Sequence, residues 1–396
     1  MRPNDTGMTA VTIAIVAGES SGDQLGSRLM REIKASLDPS ASAIRFMGVG
    51  GPLMLAEGLD SLFPMSDIAV NGVLPVIKRL PLLLRRIQIT IRAIAGCKPD
   101  VIVLIDAQDF NKRVARALRK RLPQTPIIGY VSPTVWAWRP GRAKAIKPLF
   151  NRLMAVLPFE PEVHARLGGP ETIYVGHPLV ERQADWQASA MERQQAAIQP
   201  YRLLVLPGSR HAEINRLLPF YGDAIAILAQ RFPDLEVLLP AVDHLAEEID
   251  QKTRDWRIRP QILHGESAKW QAFRTARAAL AASGTVTLEL AMARVPTVVA
   301  YRVSRIEAEL GRYLITAKFA ALPNVILDRR LVPEIIHDGL DGEILADHLM
   351  HLLEEGEARQ AQLAGFDEVH SQMAVEGMSP AKRAAAIVMA AVRGGG

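Results

Sequence analysis

Two stretches of this chain set small residues and a charged side chain where a phosphate would be held. In Leu203-Leu-Val-Leu206-Pro-Gly-Ser-Arg210 an apolar run of strand length stops at Pro207-Gly208, and an amphipathic helix is predicted from about Ala212. A strand, a small-residue turn and a helix mouth aim backbone N–H groups and the positive end of a helix dipole at one point, which makes an anion seat. Gly208 and Ser209 line that seat, and Arg210 can clamp two phosphate oxygens through its planar fork. A second such turn, Ala281-Ala-Ser-Gly-Thr285, opens a helix that carries Glu289. Ser283, Gly284 and Thr285 would face the phosphate, and Glu289, one helical turn inward, would stand about 6 Å from it, the reach of a ribose diol. Arg302 and Asn324, in Tyr301-Arg302 and Leu322-Pro-Asn324, extend the set. Taken alone, Thr285 and Glu289 read equally well as an ordinary helix cap with a favourable acid. Two such turns in one half of the chain point to a nucleoside diphosphate.

The other half carries acid–base groups. Asp106 directly follows the apolar run Val101–Ile105, at the carboxyl end of a strand, where open α/β sheets bind ligands. A carboxylate there can take the proton of a substrate hydroxyl, although a turn-forming Asp fits the position too. Asp109 is a second candidate base, or the N-cap of a helix beginning near Asn111. After the next strand, Tyr130-Val-Ser-Pro-Thr-Val-Trp-Ala-Trp-Arg139-Pro-Gly-Arg142 sets Trp136 and Trp138 beside Arg139 and Arg142. That is an apolar and cationic wall, or simply the core and rim of one loop.

Ile68–Pro99 contains no Asp or Glu but carries Lys78, Arg79, Arg85, Arg86, Arg92 and Lys98. Pro81 divides it, so a short element and then a helix over Leu82–Ala95 are predicted. Leu84, Ile87, Ile91 and Ile94 recur as a core-facing stripe. Leu82 and Ile89 lie on the other side near Arg85 and Arg86, and apolar residues among arginines suit an anionic lipid surface. A solvated basic face is the bland alternative. Residues 1–180 hold 23 Lys and Arg against 14 Asp and Glu, while the remainder holds 24 against 28, so the first half faces something anionic. Nucleic acid is disfavoured, because these basic residues accompany Leu and Ile rather than stacking aromatics.

These groups need elements to hold them. Strands are predicted at Val11–Ala17, Ile44–Val49, Val101–Ile105, Ile127–Val131, Leu153–Leu157 and Ile173–Val175. They resume at Leu203–Leu206, Val237–Pro240, Gln261–Leu263, Ala278–Ala282 and Thr297–Tyr301, with helical patterns between, one of them over Lys112–Arg121. Apolar strands alternating with helices mean mainly parallel sheets covered on both faces. The polar, Gln- and Ala-rich stretch 179–200 breaks the rhythm and reads as a linker plus a helix. The expected chain is therefore α/β, two Rossmann-like domains facing a cleft, over 1–178 and 201–369, with a C-terminal helix of about 370–396 able to pack back on the first.

Neither domain carries GxGxxG, which argues against NAD or FAD. A single cysteine, Cys97, excludes a disulfide framework and a cysteine zinc site, and the nine histidines show no HExxH pattern. No metal and no cofactor are expected. Val11–Ala17 reads as a strand rather than a signal core, and no run of 18 uncharged apolar residues exists, so a cytoplasmic location is expected.

Taken together the motifs resemble the lipid-A-disaccharide synthase family. The resemblance is carried by Ala17-Gly-Glu-Ser-Ser-Gly-Asp23, Ile105-Asp-Ala-Gln-Asp-Phe-Asn111, Tyr130–Arg139, Leu157-Pro-Phe-Glu160, Val175-Gly-His-Pro178, Leu206-Pro-Gly-Ser-Arg210, Ala282-Ser-Gly-Thr285 with Glu289, and Leu322-Pro-Asn324. They run in order over nearly the whole chain. Ser20, Gln108 and Pro178 depart from the family pattern, and none removes a charged or glycine position.

The resemblance implies a GT-B glycosyltransferase with inverting chemistry and no required metal. Its donor would be UDP-2,3-diacylglucosamine, its acceptor 2,3-diacylglucosamine 1-phosphate (lipid X), and its products a β-1,6-linked disaccharide phosphate and UDP. It further implies a peripheral place on the cytoplasmic face of the inner membrane. Asp106 would be the base and Arg210 the balance for the leaving group. Glu19, Ser21, Asp23, Asn111, Trp136, Trp138 and Arg139 would receive the acceptor, and Lys78, Arg79, Leu82, Arg85, Arg86 and Ile89 the membrane. Two rivals share the architecture: a transferase adding N-acetylglucosamine to a lipid-linked peptidoglycan precursor, and a UDP-sugar 2-epimerase. The epimerase needs no apolar-basic helix.

Overall fold

The computed structural model describes residues 11–37, 44–69, 79–302 and 316–394. They form two compact units, Met1–Glu181 with Val375–Gly396, and Arg182–Ala374. The first holds seven parallel strands: β1 (Val11–Ala17), β2 (Ile44–Val49), β3 (Leu59–Ser61), β4 (Val101–Ile105), β5 (Ile127–Tyr130), β6 (Arg152–Ala155) and β7 (Thr172–Tyr174), in spatial order β3-β2-β1-β4-β5-β6-β7. The central strands are apolar throughout because both faces are covered. Ile13, Ile15, Val101, Val103 and Ile105 bury against one layer that includes Leu29, Ile33, Ala384 and Val388 of helices Ser20–Ala35 and Pro380–Gly394. Ala14, Val16, Ile102 and Leu104 face Ile87, Ile91 and Leu118 of helices Leu80–Cys97 and Gln108–Arg121 on the other. Ala17 is in register with Ile105, Ile105 with Tyr130, and Tyr130 with Met154. Four loops therefore leave one edge side by side, about 5 Å apart strand to strand.

The second unit repeats the plan with six parallel strands: β8 (Arg202–Leu206), β9 (Glu236–Ala241), β10 (Gln261–His264), β11 (Ala278–Ala282), β12 (Thr297–Tyr301) and β13 (Glu334–Ile336), ordered β10-β9-β8-β11-β12-β13. β3 and β13, three residues each, carry too short a pattern for the sequence to reveal. The stretch 179–200 folds into short helices, Gln183–Trp186 and Ala190–Ala197, the latter opened by a capping box of Ser189 and Glu192. Arg274 holds both, at 2.7 Å to Glu192 and 2.6 Å to the Asp185 carbonyl.

Three expectations need correction. The basic helix starts at Leu80, not Leu82, because Pro81 falls in the first turn, where a missing N–H is no loss. Ile87, Ile91 and Ile94 are buried, but Leu84 is exposed, since burial begins only after the first two turns; Ile89 instead packs partly against the core. Asp23, expected near a substrate, is buried and accepts from the N–H groups of Gly51 (2.9 Å), Leu53 (3.0 Å) and Met54 (3.0 Å). It caps the distant helix Pro52–Ala56, a structural duty. Asp23→Ala should lower the unfolding free energy by about 3 kcal/mol, since it orphans two buried donors and one part-buried donor. Urea unfolding at unchanged slope checks this, and a loss below about 0.5 kcal/mol would return Asp23 to the surface of a ligand site.

Candidate active site

Asp106 leaves β4 in an unusual conformation. It and Ala107 both have left-handed backbones, φ 48° and 42°. Such residues cost of order 1–3 kcal/mol each and persist only where surroundings over-determine them. Here Asp106 N–H donates to the Tyr130 carbonyl (2.9 Å), and Gln108 Nε2 to the Val131 carbonyl (3.2 Å). Asn111 Nδ2 donates to the carbonyls of Ile105 (3.1 Å) and Asp106 (2.7 Å). Gly18 lets the turn close: a Cβ there would stand 2.6 Å from Ala107 Cβ. Asn111 is thus buried, its amide nitrogen given to the turn, while its Oδ1 is buried without a hydrogen-bond partner among the described residues. The Asp106 carboxyl, half-buried, forms no ion pair among the described residues. Burial raises its pKa above the ordinary 3.8, against a hydrogen bond from Ala107.

Asp109 is placed differently. The helix begins at Gln108 rather than near Asn111, so Asp109 sits inside its first turn and caps nothing. Its side chain is 90% exposed and pairs with Arg142 at 3.1 Å.

The loop after β5 runs beside Asp106. Val131 and Arg139 have positive φ, 73° and 52°, and Trp138 and Arg139 end exposed. Trp136 turns inward, edge-on to Phe159 at 5.4 Å. The loop's floor is a set of residues that the sequence pattern did not single out. Glu160, 2% exposed, accepts from Leu157 N–H at 3.1 Å, and Trp136, Val156 and Ser132 also hydrogen-bond to it. Burial lifts its pKa to about 7, which these bonds only partly offset. Ser132 Oγ lies 2.7 Å from Nε2 of His164, whose pKa burial lowers to about 4, so the ring is neutral. The sole sequence signal was Glu160's place in Leu157-Pro-Phe-Glu160. On the first loop, Glu19 stands at the N-cap of helix Ser20–Ala35 and Ser21 is exposed.

In the second unit Leu206 and Ala281 are in register, so both small-residue turns leave adjacent strands together. Gly208 has φ 106°. Arg210 is 73% exposed and pairs with Glu213 at 2.8 Å, while the other Glu213 oxygen accepts from Ser209 N–H at 2.9 Å. Gly284 (φ 148°) and Thr285 are exposed at the mouth of helix Val286–Met292. Ser283 donates to the Ala320 carbonyl at 2.7 Å. Thr287 donates to the Gly284 carbonyl (2.8 Å) and accepts from Leu322 N–H (3.0 Å). Asn324 is fully buried, donating to Val332 and Glu334 and accepting from Leu331 and Val332. Ser283 and Thr287 therefore tie Ala320 and Leu322 to the second turn and its helix, and every polar atom of the Asn324 amide is occupied. Glu289 pairs with Lys269 at 2.8 Å, and the Arg302 guanidinium lies 5.0 Å over the Phe220 ring.

Of the basic helix, Arg79, Leu80, Leu84, Arg85 and Arg92 are exposed. Arg86 is not free to meet a surface: it pairs with Asp67 at 2.6 Å and lies 4.8 Å over the Phe63 ring. Leu82 is half-buried, and Lys78 lies outside the described residues.

A family profile described as lipid-A-disaccharide synthetase matches residues 13–388. The chain is 45% identical over 381 residues to the lipid-A-disaccharide synthase of Nitrobacter winogradskyi, covering 96% of each. It is 43% identical over 384 residues to that of Rhodospirillum centenum, covering 96% of this chain and 95% of the other. Among solved structures it is similar in fold to MurG of Acinetobacter baumannii (TM-score 0.58, 12% identity, 96% and 99% covered). It is likewise similar to UDP-GlcNAc 2-epimerase of Neisseria meningitidis bound to UDP-GlcNAc (TM-score 0.56, 10% identity, 96% and 98% covered).

The Glu160 floor makes a prediction. Folded, Glu160 keeps its proton up to about pH 7; unfolded, it loses it near 4.5. The folded state binds the extra proton between those values, so stability falls as pH rises through that window and stays lower above it. Glu160→Gln should remove this dependence, flattening the change in unfolding free energy between pH 5 and 8 by about 3 kcal/mol. Urea titrations across that range test it, and wild-type pH dependence in the variant would refute it.

Proposed function

The chain belongs to the lipid-A-disaccharide synthetase family, disaccharide-forming glycosyltransferases of lipid A biosynthesis, and from that premise we propose how its residues divide the reaction. The family implies a UDP-sugar donor and lipid X as acceptor. UDP-2,3-diacylglucosamine binds the second unit, with its diphosphate on the turns Pro207–Arg210 and Ser283–Thr285. Its ribose is met by Glu289, which must then share or leave Lys269. The acceptor, 2,3-diacylglucosamine 1-phosphate, binds the loops at the carboxyl edge of the first sheet. Exposed Trp138 and Arg139 meet its acyl chains and phosphate, and Glu19 and Ser21 lie on the neighbouring loop.

Asp106 acts as general base. The acceptor's 6-hydroxyl oxygen attacks the anomeric carbon of the donor, its proton passes to the Asp106 carboxylate, and the bond from that carbon to the diphosphate breaks. The configuration inverts and a β-1,6 linkage forms. Negative charge gathers on departing UDP, where Arg210 and turn amides oppose it; one such contact commonly contributes ~10²–10³ in rate. The observation that carries this assignment is the Asp106 turn: a half-buried carboxyl, strained into place, without an ion pair among the described residues, with a raised pKa.

Asp106→Asn should lower kcat at least about a hundredfold and leave the Kd for UDP unchanged. A variant keeping more than about a tenth of the rate, a loss under ~1.4 kcal/mol, would hand the role to Asp109. Only the ionised carboxylate accepts the proton, so kcat falls as pH drops through the Asp106 pKa. Because burial raises that pKa, the acid limb of the wild-type profile should lie above the ordinary aspartate range.

Both substrates are acylated, and we place the enzyme peripherally on the cytoplasmic face of the inner membrane, touching it through Arg79, Leu80, Leu84, Arg85 and Arg92. No described helix is long and apolar enough to cross a membrane. Arg85→Glu with Arg92→Glu should weaken binding to anionic vesicles, read by co-sedimentation, at least about thirtyfold, two basic residues at about 1 kcal/mol each. Undiminished co-sedimentation would make this a solvated face.

A further inference from the structure

We propose that the Glu213 carboxylate is a resident competitor of the donor's diphosphate, seated on the Pro207–Arg210 turn when the donor is absent and displaced when it binds. The inference rests on the donor assignment above. Glu213 stands in the first turn of helix His211–Arg231, immediately after the anion seat. Its two oxygens take the two donors that the seat offers a phosphate, the Ser209 N–H at 2.9 Å and the Arg210 guanidinium at 2.8 Å. The space that a glycine opens is filled as well: a Cβ on Gly208 would stand 2.2 Å from the carboxylate oxygen on Ser209. One amide cannot serve a carboxylate and a phosphate together, and two anions in one turn repel.

The two partners are unequally free. Glu213 is 19% exposed, while Arg210 is 73% exposed and can follow an incoming diphosphate. The resident carboxylate keeps the turn's amide satisfied and the guanidinium near its working place, so the empty turn is already formed. It does so at the expense of donor affinity, and the same side chain is available to refill the seat as UDP leaves. A supporting role, in which Glu213 stays and aims Arg210 at the phosphates, predicts the opposite sign.

Calorimetric binding of UDP and of uridine to wild type, Glu213→Gln, Glu213→Ala and Arg210→Ala decides between them. Glutamine still accepts from Ser209 but carries no charge to hold Arg210 or repel a diphosphate. UDP should bind Glu213→Gln about fivefold more tightly, the scale of one exposed charge pair, and Glu213→Ala should shift the same way. Uridine, lacking phosphates, should bind all four proteins alike, which also certifies that each is folded. Equal or weaker UDP binding by both Glu213 variants, with Arg210→Ala still impaired, overturns the displacement and leaves the donor assignment standing. Unchanged UDP binding by Arg210→Ala overturns the donor assignment itself, and the displacement with it.

Discussion

Two consecutive left-handed residues, Asp106 and Ala107, are the constraint that sets the Asp106 carboxyl at the edge of the first sheet. A non-glycine residue enters that region only where its neighbours leave no alternative. The neighbours here are the β5 backbone through Tyr130 and Val131, the amide of Asn111, and Gly18, whose missing side chain makes room. Each restraint comes from a different strand or helix, so the carboxyl group is set by the whole sheet edge rather than by its own loop. Gln108 supplies one of those restraints. The strain lifts the carboxyl out of the strand's pairing and leaves it half-buried, where its charge is poorly solvated.

The second unit handles charge in the opposite way. The charged groups near its two small-residue turns are paired from within: Arg210 and the Ser209 amide by Glu213, and Lys269 by Glu289. Open cationic and N–H groups would otherwise be free to wander or to bind any anion. Below them, Thr287, Asn324 and Glu334 form a closed hydrogen-bond set that fixes the loop entering helix Leu322–Leu327 against the second turn. The exposed groups are adjustable and the buried ones are saturated.

Glu160 shows the cost of shaping the loop after β5. A carboxyl buried without an ion pair among the described residues is expensive, and Trp136 and Ser132 of this loop hydrogen-bond to it while Trp138 and Arg139 are exposed. His164, held neutral, completes that floor without adding charge.

The α/β alternation, the parallel sheets and the turns that follow their strands were legible in the sequence, because a strand covered on both faces must be apolar and a turn against a helix mouth must be small. The family was legible too, since its motifs run in order from Ala17 to Asn324. Tertiary structure alone decided which polar residues of those motifs are free. Asp23, Ser283 and Asn324 look like ligand contacts in one dimension, yet their side chains are hydrogen-bonded to partners between 7 and 37 positions away. Arg86 reads as part of a basic face until Asp67 and Phe63 claim it. No periodicity marks Glu160 as buried or places Glu213 against Ser209 and Arg210; both follow from the fold. Periodicity reports what a residue must hide, whereas a hydrogen bond depends on where two distant backbones meet, and no local pattern encodes that.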